Sequence, residues 1–221
     1  MPNFFDLGDG CPPLIAILRG LDPAQAAEVG TTLYQAGFRV LEVPLNRPGA
    51  LQALERLAAA LPAGVVVGAG TVLTPEDVDA VAAHGGTLVV SPEVNPEVIQ
   101  ACRRRGLWSL PGAATPSEAY AAIRAGAHAI KAFPAEALPP AVIKSWRSVL
   151  PADFGIYPVG GITPQLLSGY RAAGADGFGL GGALFTPGTG PDELARRAAQ
   201  FVAAWNNAAA HVAPAGRSKQ D

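Results

Sequence analysis

One punctuation recurs along this chain of 221 residues. A helix-capping residue is followed at once by proline in Asp22-Pro23, Thr74-Pro75, Asn95-Pro96, Thr115-Pro116 and Thr163-Pro164. The cap side chain accepts a bond from a backbone N–H at the helix start. Proline at the first helical position gives up an N–H that had no intrahelical partner anyway. Glycine then marks where the chain leaves a helix through positive φ, in Ala36-Gly37, His84-Gly85-Gly86, Arg105-Gly106, Ala125-Gly126 and Ala173-Gly174. The stops at 37, 85, 106, 126 and 174 lie 48, 21, 20 and 48 residues apart, so each long gap holds two units of about 24 residues. Between stops and starts lie short runs rich in Val, Ile or Leu, at 14–19, 39–45, 65–71, 87–91, 107–111, 129–133, 155–159 and 177–181. Uninterrupted apolar strands point to a parallel sheet covered on both faces. Eight of them in strict β/α alternation predict an α/β protein, a (β/α)8 TIM barrel, as a single domain over residues 1–206. A doubly wound open sheet satisfies the same alternation. Residues 207–221, Ala-rich and then polar, read as a disordered tail.

Composition narrows the classes of partner. Hydrophobic residues make up 49% and charged residues 15%, with a formal net charge of −2. That suits a sizeable core and lacks the basic excess of a nucleic-acid surface. No apolar run reaches the roughly 18 residues of a membrane helix. The start, Met1-Pro-Asn-Phe-Phe-Asp, shows neither a basic nor an apolar signal region. Cys11 and Cys102 form no CxxC, and His84, His128 and His211 form no metal-ligand spacing. The expectation is a cytoplasmic protein with reduced thiols and no protein-built metal site.

In a barrel of this kind, chemistry gathers at the C-terminal strand ends. Of three lysines, Lys219 is in the tail, Lys144 falls on an expected helix at 140–149, and Lys131 lies inside the sixth run. Burial disfavours an ammonium and frees its lone pair for attack on a carbonyl, the requirement of a Schiff-base lysine. A lysine snorkelling from a strand edge is the plainer alternative. Glu42 sits among apolar neighbours in the second run, where a carboxylate is costly unless paired or working. A structural ion pair with an arginine competes with a role beside Lys131. Arg19 ends the first run and offers a bidentate carboxylate clamp, or merely caps the strand. Thr71 ends the third and offers a hydroxyl, or is an ordinary loop residue. Strand parity puts Ile15, Ile17 and Arg19 on one face, Val40 and Glu42 on one, and Ala129, Lys131 and Phe133 on one. If those faces meet, three charges and a ring share one mouth.

Glycine pairs follow the last two runs, Val159-Gly160-Gly161 and Gly179-Leu-Gly181-Gly182. Loops after strands seven and eight are the usual phosphate site of such barrels, where bare backbone N–H groups face the anion. Simple turn glycines are the alternative. A desolvated lysine, a carboxylate, a carboxylate clamp and a phosphate cradle suit one reaction. The lysine forms an imine with a 2-oxo acid, the imine withdraws electrons, and the C3–C4 bond breaks while the carboxylate moves protons. No cofactor or metal is called for. An isomerase or epimerase of phosphosugars, or a non-catalytic phosphometabolite-binding barrel, would use the glycine loops without needing the lysine.

Seven motifs carry a resemblance across residues 12–205: Ile17-Leu-Arg-Gly20, Leu41-Glu-Val-Pro-Leu-Asn46, Gly68-Ala-Gly-Thr71, Ser91-Pro92, Pro111-Gly-Ala-Ala-Thr-Pro116, Ala129-Ile-Lys-Ala-Phe-Pro134 and Pro158-Val-Gly-Gly161. The chain resembles the 2-keto-3-deoxy-6-phosphogluconate/phosphogalactonate aldolases. The resemblance implies Lys131 as the Schiff-base lysine and Glu42 as the proton shuttle. It puts Thr71 and Pro92 at the pyruvyl end and Phe133 against the substrate. It also implies release of pyruvate and glyceraldehyde 3-phosphate from a phosphorylated 2-keto-3-deoxy sugar acid, and a homotrimer. Within the family, Asn46 and Val159 stand where the phosphogluconate branch carries arginine and threonine. These residues lean to the phosphogalactonate branch, whose substrate is the C4 epimer. They leave Arg19 as the candidate carboxylate clamp, unless Arg47 swings in to replace the missing arginine.

Overall fold

A computed structural model describes residues 11–209. Nine strands and eight helices alternate along them. In chain order they are β1 (Leu14–Ile17), α1 (Ala26–Gln35), β2 (Val40–Pro44), α2 (Ala50–Ala60), β3 (Val66–Gly70), α3 (Pro75–Ala83), β4 (Leu88–Val90), α4 (Pro96–Arg105), β5 (Trp108–Leu110), β6 (Gly112–Ala113), α5 (Pro116–Ala125), β7 (Ala129–Ala132), α6 (Pro140–Arg147), β8 (Gly155–Pro158), α7 (Leu167–Ala172), β9 (Phe178–Leu180) and α8 (Pro191–Ala209). Three of the five cap–proline pairs open α-helices as the sequence requires, whereas Thr163 makes no side-chain cap bond. Thr74 and Asp77 form a reciprocal capping box at α3, and Asn95 and Thr115 accept backbone N–H bonds at the starts of α4 and α5. Pro23 and Pro164 open 3-10 turns, and the α-helices begin only after these, at Ala26 and Leu167. Gly106 and Gly126, at φ 68° and 94°, end α4 and α5 in the left-handed region that glycine enters without strain.

The strands pair in parallel throughout. One ladder runs β5-β4-β3-β2-β1-β9 and the other β6-β7-β8, curled around a shared interior. A single closed ladder of eight strands was expected, and the described residues do not form one. The expected strand at 107–111 splits into β5 and β6 because Pro111 has no N–H to give to a ladder. Its carbonyl accepts from Lys131 N–H at 2.9 Å. At the other seam, an isolated bridge between Val159 and Gly179 and a bond from Asp176 N–H to the Ile156 carbonyl stand in place of a ladder. The tail expected from residue 207 is also revised: residues 207–209 complete α8, and 210–221 lie outside the described residues.

Successive side chains on a strand point to opposite faces, so the sheet feeds two cores. Leu14, Ala16 and Leu18 join the large cluster beneath the helices. Ile15, Val40, Leu88, Val90, Leu110, Ala129 and Tyr157 fill the interior. Each Leu, Ile or Val side chain among them, fully buried, contributes about 1.5–3 kcal/mol by leaving water. The interior set stops two residues short of Ile17, Glu42 and Lys131, and there the cavity begins. Among the described residues no helix is long and apolar enough to cross a membrane.

Candidate active site

A cavity of about 500 Å³ opens at the C-terminal ends of the strands. Of the residues singled out in the sequence, Arg19, Glu42, Thr71, Lys131, Phe133, Val159, Gly160, Gly161, Gly181 and Gly182 line it. Strand register brings them together. Ile17 pairs with Glu42, Glu42 with Gly68, and Lys131 lies between Gly112 and Tyr157. Glu42 is 2% exposed and Lys131 8%. The Lys131 Nζ stands 4.4 Å from the centre of the Phe133 ring, a cation–π contact. A Cβ on Gly70 would overlap the Glu42 carboxylate, so this glycine makes room for the acid.

Pro92 is not among the lining residues. It is half-buried, and its carbonyl packs where a Cβ on Gly112 would stand, next to the register partner of Lys131. Arg47 is exposed and does not line the cavity, whereas Arg19 does. The sequence reading had missed Ile17 as a wall, together with Ile162, Thr163, Ala183, Phe185, Thr186 and Pro187. Thr163 reads in the sequence as an ordinary helix cap, but its side chain makes no cap bond and it lines the cavity. The 183–187 loop carries no periodicity that would have marked it.

Burial and mutual attraction act in opposite directions on Glu42 and Lys131. Burial pushes the Glu42 carboxyl up to about 7, against the opposing pull of the Lys131 and Arg19 charges. Its Oε2 is buried without a hydrogen-bond partner, an arrangement that costs about 1–3 kcal/mol or more for a charged group. Burial also lowers the Lys131 pKa, with Glu42 opposing the shift and Arg19 adding to it. Both groups move toward neutrality, where a carboxyl can take and return protons and an amine can attack.

Backbone strain and glycine identity mark the rim. Thr71 sits at φ 55°, a conformation a β-branched residue adopts at a cost. Gly160 and Gly161, at φ 113° and 59°, need glycine for their own backbone. Gly181 and Gly182 do not. Neither has positive φ, and a Cβ on either would meet nothing within 4 Å. Among the described residues, no packing asks for glycine at either position.

Residues 11–192 match the aldolase family described as KDPG and KHG aldolase. The chain belongs to that family. It is thus an aldolase, a carbon–carbon lyase. It is 44% identical to a probable 2-dehydro-3-deoxy-6-phosphogalactonate aldolase of Rhizobium meliloti (strain 1021), over 88% of this chain and 92% of that one. It is also 44% identical to 2-dehydro-3-deoxy-6-phosphogalactonate aldolase of Escherichia coli (strain K12), over 89% and 96% respectively. A solved structure described as native KDPGal superposes with a TM-score of 0.88 at 42% identity, covering 90% of this aldolase and 96% of the other chain.

Proposed function

We propose that this aldolase cleaves 2-dehydro-3-deoxy-6-phosphogalactonate to pyruvate and D-glyceraldehyde 3-phosphate through a Schiff base on Lys131. The observation that carries the reading is a buried lysine and a buried, unpartnered carboxyl sharing one cavity. The names of the two relatives at 44% identity support the substrate.

The mechanism follows from the two groups. Neutral Lys131 attacks the C2 carbonyl, and loss of water gives a protonated imine. Glu42, as carboxylate, takes the proton of the C4 hydroxyl. The C3–C4 bond breaks, its electrons pass into the imine to form an enamine, and C4 leaves as the aldehyde. Glu42 returns the proton to C3, and water hydrolyses the pyruvate imine to free the lysine. Arg19 clamps the substrate carboxylate, Thr71 and Phe133 flank the pyruvyl end, and Pro92 contributes through Gly112. Gly160, Gly161, Gly181 and Gly182 cradle the phosphate with backbone N–H groups. Val159, apolar and buried, gives no hydrogen bond to the C4 hydroxyl, which favours the galactonate epimer.

The two ladders act together as one eight-stranded barrel, with 108–113 counted as a single strand. Bonds across the seam support this, from His128 N–H to Ser109 and from Lys131 N–H to Pro111. A homotrimer and a cytoplasmic location complete the reading, and the unpaired state of Cys11 and Cys102 accords with the latter. The decisive experiment compares kcat/KM for pyruvate release from the galactonate and gluconate epimers, alongside borohydride trapping with pyruvate. Preference for the galactonate epimer and trapping lost in Lys131→Ala are expected. Equal use or a gluconate preference would overturn the epimer assignment, and normal activity in Lys131→Ala would overturn the mechanism.

A further inference from the structure

The turn after the lysine strand carries a carboxylate that the mechanism does not use. Ala135–Ala137 form a single 3-10 turn. It is fastened to its surroundings at two points. Ala135 N–H donates to the Val159 carbonyl at 2.8 Å, and the Tyr170 hydroxyl donates to the Ala135 carbonyl at 2.9 Å. Glu136 is thereby laid against both glycines of the loop after β8. A Cβ on Gly160 would overlap its Oε2, and a Cβ on Gly161 would stand 2.9 Å from its Cγ and 3.0 Å from its Oε1. Among the described residues none forms an ion pair or hydrogen bond with Glu136. An exposed negative charge with no neutralising neighbour therefore stands against the backbone that, in the reading above, holds a phosphate.

We propose that Glu136 is a specificity-determining residue of this cradle, whose charge weakens the hold on phosphorylated ligands and so favours release of the phosphorylated product. The proposal rests on the assignment of the Gly160–Gly161 loop as the phosphate site. A phosphate ester carries close to two negative charges at neutral pH. A carboxylate one peptide away, partly screened by water, weakens its binding by roughly three- to tenfold. Ground-state binding beyond what turnover needs holds substrate and product alike without speeding the bond-breaking step. A ligand without a phosphate is spared this repulsion.

Glu136→Gln keeps the shape of the side chain and removes the charge. The probes are inorganic phosphate as a competitive inhibitor, the KM for the phosphorylated substrate, and imine formation from pyruvate as the phosphate-free control. At low ionic strength the variant should show a phosphate Ki and a substrate KM roughly three- to tenfold lower, with pyruvate imine formation unchanged. The difference should shrink toward unity in about 0.5 M salt, where screening shortens the reach of the charge. An unchanged or higher Ki, or a difference indifferent to salt, would overturn the proposal. Failure of phosphate to compete in the wild-type enzyme would instead remove the cradle assignment, and the proposal with it.

Discussion

Replacing Glu42 with glutamine should slow the enzyme and make its stability relative to wild type rise with pH. The carboxyl is held at about 7 in the folded chain against 4.5 for an ordinary glutamate, with desolvation as the main cause. The folded state therefore binds this proton more tightly than the unfolded chain does. Its contribution is fully present below about pH 4.5 and is lost as pH rises through about 7. At about 1.36 kcal/mol per pH unit, wild type loses about 2.5 kcal/mol between pH 5 and pH 8 through this group alone. The attraction of Lys131 and Arg19 is already contained in that figure, because it opposes the shift. Glutamine does not titrate, so Glu42→Gln should gain that amount relative to wild type over the same interval. The gain rides on a fixed offset of about 1–3 kcal/mol for an amide buried without partners. Urea unfolding of both proteins at the two pH values reads the difference. In thermal melts it corresponds to about 5–10 °C for a chain of this size. Turnover should fall by about two to four orders of magnitude while borohydride trapping of pyruvate persists. A stability difference that stays the same at pH 5 and pH 8 would refute the reasoning, because the carboxyl would then not be paying for its burial.

Two further outcomes test the rim. Gly181→Ala should leave the urea midpoint unchanged or raise stability by about 0.4–1 kcal/mol, since the methyl meets nothing and the unfolded chain loses freedom. The same change should raise KM for phosphorylated substrate at least several-fold, and an unaltered KM would argue against a guest at this position. Thr71→Gly relieves the left-handed strain of about 1–2 kcal/mol and adds about 0.5–1 kcal/mol of backbone entropy cost, so stability should stay within about 1 kcal/mol of wild type. Activity should nevertheless drop with the loss of the hydroxyl, and a marked loss of stability in urea would contradict the strain argument.

Helix starts and stops were legible because capping and positive φ are local demands, met by the same few residue types wherever they occur. Thr74, Asn95 and Thr115 cap as the sequence implies. Lys131 and Glu42 were legible for the opposite reason. Charge inside an apolar strand is energetically out of place, and strand parity sufficed to turn both toward one cavity. What escaped depends on tertiary detail. The break at Pro111 follows from which carbonyl and which N–H meet across two strands. Pro92 was drawn to the cavity by a sequence motif, but its carbonyl packs onto Gly112 instead. Phe185 and Thr186 line the cavity from a loop whose course no hydrophobic period encodes. The orphaned Glu42 oxygen depends on where nearby donors end up in three dimensions.

The filled interior beneath Lys131 has a consequence for traffic. Ile15, Val40, Ala129 and Tyr157 plug the strands below the lysine, so a ligand has no back exit and must come and go by one door. If, as proposed, Lys131 tethers the pyruvyl fragment at the bottom and the glycine loops hold the phosphorylated fragment nearer the rim, departure is last in, first out. On that mechanism the aldehyde leaves while its companion is still anchored, and the enzyme works as a stack rather than a pipe.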